Sequence, residues 1–179
     1  RRAKKKSCQA QFGSPATNLD SVRRQQRQLQ AGVQQLQNWV ASNASTVVKC
    51  SLAPKMHIAL ATPFQREQFN RTPASMTAMV ADTTFNVATS SNTVLTTFIV
   101  RSAAMDLFYP TIYFVHEGMS TVEYRDIFLT LFATFGYDHI VKCVLSFDYA
   151  DAILGGYILA HAITDKVLPN NAASLADLS

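Results

Sequence analysis

The sequence has little cysteine, little charge and no long apolar run. Its three cysteines, Cys8, Cys50 and Cys143, are odd in number and widely separated. That pattern supplies neither a disulfide framework nor a paired metal motif, and a reducing compartment is expected. No uninterrupted apolar stretch approaches the ~20 residues needed to cross a bilayer, and no signal-peptide core follows the basic start. A membrane partner is therefore not expected, and the chain reads as soluble and intracellular. Charged residues are only 16% of 179, while 48% are hydrophobic, enough for one buried core; disorder throughout is excluded.

What charge there is, is unevenly placed. Arg1, Arg2, Lys4, Lys5 and Lys6 occupy the first six positions, and the remainder is close to neutral. Such a run can contact nucleic-acid phosphates, act as a nuclear import signal, or remain a solvated end. Gly13, Ser14, Pro15 and Asn18 then break regular structure and suggest a linker. From Leu19 to Asn43 the chain is rich in Gln and Arg, with Leu29, Val33, Leu36 and Val40 at helical spacing and Asn18 or Asp20 available as N-cap. This amphipathic helix has three possible uses: covering the core, pairing with a second chain, or lying along DNA.

Residues 45–60 mix β-branched residues with Pro54 and read as extended or irregular, and a short helix is expected over 64–70. Strands are expected over 77–88 and 93–101, joined through Ser90, Ser91 and Asn92, with a third over 110–116. Ser120 and Glu123 form a Ser-x-x-Glu capping box opening a helix over 121–135, which Gly136 stops. Its broad face of Tyr124, Ile127, Phe128, Leu131, Phe132 and Phe135 must be buried. The apolar run 140–147 reads as a strand covered on both sides, and a last helix follows over 150–163. The resulting segments are 1–18, a basic segment and linker; 19–58, the amphipathic helix and its connection; 59–168, an α/β core; and 169–179, a polar tail.

Two acids stand out. Asp82 interrupts the apolar run of Met79, Val80 and Ala81, and Asp148 follows Val144, Leu145, Ser146 and Phe147. An ionised carboxylate near a core needs compensation, which a bound divalent cation supplies. Oxygen ligands of this kind suit Mg²⁺ or Mn²⁺, whose ions can activate an attacking oxygen and stabilise a leaving one in phosphoryl transfer. The alternative is structural: Asp82 starting a turn or bonding backbone amides, and Asp148 capping the last helix. His116, at a strand end, and His139, in the turn before the next strand, read as structural, as do the core aromatics Tyr109, Tyr113 and Phe114.

Thr62-Pro63-Phe64-Gln65-Arg66-Glu67-Gln68-Phe69, followed by Met79-Val80-Ala81-Asp82-Thr83-Thr84-Phe85, resembles the entry to a mutator-like transposase core. There a Gln-Arg helix precedes an Asp-x-Thr-aromatic strand. Leu145-Ser146-Phe147-Asp148-Tyr149-Ala150 is similar to the family's second-acid motif, with Ala150 where a Glu often stands. The resemblance covers roughly 59–163 and matches Asp82 and Asp148 to the family's first two metal-binding catalytic acids. It implies a ribonuclease H-like mixed sheet flanked by helices, DNA as partner, Mg²⁺ or Mn²⁺ as cofactor, a nuclear location and no small-molecule substrate. Residues 1–10 also resemble the last strand of the zinc-binding DNA-recognition modules that often precede such cores, although Cys8 has no companion ligands nearby. The family's third acid has no counterpart in Asp151, Asp165 or Asp177. Two functions follow: two-metal strand cleavage and transfer, or a domesticated derivative that binds DNA or assembles proteins without cutting.

Overall fold

The computed structural model describes residues 15–74, 77–85, 92–102, 107–147 and 151–176. The basic residues Arg1, Arg2, Lys4, Lys5 and Lys6, Cys8, most of the expected linker and the turn residues Ser90 and Ser91 lie outside them. So do Asp148, Tyr149, Ala150 and Asp177. Contacts divide the chain after Ser42. The first unit contains α1, Pro15–Ser42, which starts earlier than Asn18 or Asp20 would cap it: Pro15 suits a first helical turn, where its missing N–H is no loss.

The second unit is an α/β domain with a mixed six-stranded sheet. Its elements are β1 (Val47–Ser51), β2 (His57–Leu60), α2 (Pro63–Arg71), β3 (Thr77–Phe85), β4 (Thr93–Ser102), β5 (Leu107–Glu117), α3 (Thr121–Phe135), α4 (Tyr137–Ile140), β6 (Val144–Phe147) and α5 (Asp151–Ala176). The spatial order is β1-β2-β5-β4-β3-β6, antiparallel throughout except for β6, which runs parallel to β3. The stretch expected to be extended or irregular is extended: it forms the β1–β2 hairpin and joins the sheet through β2 and β5.

α3 has the expected limits. The Glu123 carboxylate accepts from the Ser120 N–H at 2.9 Å and from its hydroxyl, and Gly136 ends the helix at φ +86°, a conformation that costs a side chain. All six residues of the anticipated face are buried. They pack on one face of the sheet, where Met79, Ala81, Phe98, Val100 and Phe114 are buried. Alternation along the strands puts Val80, Asp82, Leu95, Thr97 and Tyr113 on the other face, and each of these is half-buried or exposed.

The run 140–147 is a correction. Ile140 ends the short helix α4, and only Val144–Phe147 form a strand. β6 stands last in the sheet, and Val144 is 67% exposed, so this strand is covered on one face rather than two. α5 continues past the expected polar-tail boundary to Ala176.

α5 lies closely against α3 at a glycine. A Cβ on Gly156 would stand 2.5 Å from Tyr124 Cβ and 2.7 Å from the Arg125 backbone nitrogen, and backbone cannot give way as a side-chain tip can. Gly156→Ala is therefore expected to destabilise the domain by about 1–3 kcal/mol despite the better helix propensity of alanine. A lowered denaturation midpoint would register it.

Candidate metal centre and a second polar cavity

Asp82 sits in β3 between Ala81 and Thr83, in a row that crosses the sheet through Thr97 of β4, Tyr113 of β5 and Leu60 of β2. Its side chain is exposed on the face opposite α3. The sequence argument that burial forces a counter-charge on this acid therefore does not hold: an exposed carboxylate keeps its hydration. Among the described residues no hydrogen bond or ion pair engages it, so its oxygens remain available as acceptors.

The parallel pairing of β3 and β6 runs Ala78↔Val144, Met79↔Leu145, Val80↔Ser146 and Ala81↔Phe147. Asp82 and Asp148 are thus the residues that follow, in sequence, the two members of the last Cα pair. Asp148 lies outside the described residues. Asp151 is exposed at the start of α5, and Asp165 accepts from the Tyr137 hydroxyl at 3.2 Å. Among the described residues no group of three or more His, Cys, Asp or Glu side chains could hold a metal.

The Gln-Arg pair has local structural work. Gln65 Oε1 accepts from the Thr62 N–H at 2.8 Å while the Thr62 hydroxyl accepts from the Gln65 N–H at 3.2 Å, a capping box that opens α2. Gln65 Nε2 also donates to the Pro110 carbonyl at 2.8 Å, and Arg66 donates to the Ser45 carbonyl at 2.7 Å. These bonds fasten α2 to β5 and to the approach to β1.

His116 and His139 stand out in the sequence, whereas His57 carries no local signal there. The structure pairs His57 with His116 across β2 and β5. Both line a cavity of about 460 Å³ with Lys49, Lys55, Glu117, Glu123 and Asp126. His116 is 1% exposed, and its Nε2 lies 2.9 Å from the Thr96 hydroxyl. A polar line continues from Thr96 to Thr83 at 3.2 Å and from Thr83 to the Tyr124 hydroxyl at 3.4 Å. Short strands and a distant partner concealed this pairing in the sequence.

Burial, then the charges of Lys49 and His116, lowers the His57 pKa from 6.5 to about 4, against an opposing pull from Asp126. Burial also lowers that of His116. At Glu123 burial acts upward, but Lys55 and Ser120 outweigh it and hold the carboxyl at about 2. His139 belongs to α4 rather than a turn and packs on Phe69 with ring centroids 4.8 Å apart. Cys143 is buried, and burial raises its thiol to about 11, which makes it a poor nucleophile.

The lowered His57 value fixes the sign of a pH effect. Its contribution is complete above the unfolded value near 6.5 and is lost as pH falls toward 4, because the unfolded chain takes up the proton first. The denaturation midpoint is expected to decline across that window, and His57→Phe to flatten the decline without abolishing it, since His116 titrates in the same sense. Denaturant titrations between pH 4 and 7 measure both slopes.

No family model, curated protein or solved structure matches this chain. Among the described residues no helix is long and apolar enough to cross a membrane.

Proposed function

We propose that this chain carries part of a ribonuclease H-like core, related to mutator-like transposases, that cleaves and joins DNA strands with Mg²⁺ or Mn²⁺ held by Asp82 and Asp148. The observation that carries the reading is the strand order β5-β4-β3-β6, three antiparallel strands followed by one added in parallel beside the first. With it goes the register in which Ala81 and Phe147, the residues before the two acids, are partners. The exposed Asp82 carboxylate, unengaged among the described residues, suits a hard cation. Bound ions would activate the attacking oxygen and stabilise the leaving one. The chain's own part is to pair β3 with β6 in the register that precedes both acids, and to expose the Asp82 carboxylate to a polyanion. Arg1, Arg2, Lys4, Lys5 and Lys6 would add phosphate contacts that weaken with salt.

A second reading, a domesticated nuclear scaffold that binds DNA or assembles proteins without cutting, is favoured by one observation: the described residues by themselves contain no group of three or more His, Cys, Asp or Glu that could hold a metal. Calorimetric titration with Mn²⁺ separates the two. The catalytic reading expects binding by the parent chain and loss of binding in both Asp82→Asn and Asp148→Asn; the scaffold expects none in any of them.

A further inference from the structure

We propose that α1 is one strand of a parallel, two-stranded coiled coil formed with a second copy of this chain. α1 is a continuous helix of 28 residues, and its apolar residues follow a heptad in which Leu19, Val33 and Val40 occupy a positions and Val22, Leu29 and Leu36 occupy d positions. Gln26 fills the remaining a position. This is an a/d seam, narrower than the stripe a helix uses to cover a sheet, and its 3.5-residue period is the one that two supercoiled helices bury between them. Much of it is open in the single chain: Leu19 is 57%, Val22 53%, Leu29 70% and Val33 36% exposed.

The residue types say what covers it. In the C-terminal half, Val33 and Val40 at a with Leu29 and Leu36 at d form the combination that favours two parallel strands. In that arrangement a faces a, so the two Gln26 amides meet and can bond to each other; an antiparallel pair would set each amide against a d-position leucine. A lone polar a residue of this kind costs stability and selects register. Charge does not oppose self-pairing. The flanking e and g positions are Arg23, Gln25, Gln30, Gly32, Gln37 and Trp39, with a single charge among them, and Arg23 lies 3.9 Å from Asp20 of its own helix. Arg24 and Arg27 fall at outer f and b positions. The partner is therefore another copy of α1, and this assignment does not depend on any activity of the sheet domain.

Sedimentation of the full chain over a dilution series from submicromolar to submillimolar concentration is expected to show a reversible monomer–dimer equilibrium. Leu29→Lys should weaken it at least about 100-fold, since both copies lose a d-layer contact, while the unfolding transition of the sheet domain stays put. Gln26→Val should tighten it. In a Cys8→Ser, Cys50→Ser background, Val22→Cys should form an interchain disulfide under mild oxidation, because d faces d only in a parallel pair. A chain that stays monomeric throughout, or a dimer indifferent to Leu29→Lys, overturns the proposal. A dimer that persists while Val22→Cys fails to cross-link overturns the parallel arrangement.

Discussion

Phe128→Ala is expected to cost the sheet domain about 3–5 kcal/mol, the range for removing a buried aromatic side chain together with the cavity it leaves. Phe128 is fully buried on α3. Its ring centroid lies 5.6 Å from that of Phe98 on β4, 6.2 Å from Phe147 on β6 and 5.2 Å from Tyr157 on α5, each edge to face. One side chain therefore joins the centre of the sheet, its strand β6 and the helix α5. The aromatic geometry adds to the area term at each contact. A domain of this size has roughly 5–15 kcal/mol in total, so the variant should sit near the edge of folding. Denaturant titration should show a lowered midpoint with an unchanged slope, and Phe128→Leu, which keeps most of the volume, should lose less than about 1.5 kcal/mol. Hydrogen exchange at Val144–Phe147 should accelerate most, because among the described residues β6 pairs with β3 alone.

α3 was legible because all of its determinants are local: the Ser120 and Glu123 box, six apolar residues at helical spacing and a stop at Gly136. Periodicity also sufficed for β3, β4 and β5. It failed over 140–147 because a continuous apolar run has no period, and Ile140 in α4 and Val144 on an outer strand look alike in sequence. The β1–β2 segment reads as extended or irregular, but its pairing was not legible, for another reason. Its strands have five and four residues, and what holds β2 in place is pairing with β5, far along the chain. The same long-range register creates the cavity around His57 and His116, so no local pattern could have announced it. Asp82 illustrates a third limit. An acid beside Met79, Val80 and Ala81 looks buried, yet strand alternation turns it to the exposed face while its neighbour Ala81 is 3% exposed. Its strand was readable; its environment was not, because that depends on which face α3 covers.

Asp82→Asn is expected to lower Mn²⁺ affinity at least about 100-fold while leaving metal-free stability within about 0.5 kcal/mol of the parent. The first figure follows from replacing a charged oxygen ligand with a neutral amide in a site of few ligands. The second follows from exposure, since a surface substitution that removes no contact is close to neutral. These two expectations make a clean discrimination possible. With Mn²⁺ at 100 times its dissociation constant, binding should stabilise the parent by about 2.7 kcal/mol, and the variant should gain almost nothing under the same conditions. A parent that gains nothing removes the metal from the proposal and leaves the scaffold reading. A variant that gains as much as the parent shows that metal binds elsewhere. Loss of stability without metal would instead mean that Asp82 has a structural partner, as the capping alternative requires. Manganese-dependent nicking of supercoiled DNA should follow the same order, falling by at least about 100-fold in Asp82→Asn, equivalent to about 2.7 kcal/mol in the barrier. Asp148→Asn should match it, because two acids that follow partnered residues on adjacent parallel strands are expected to act as one site.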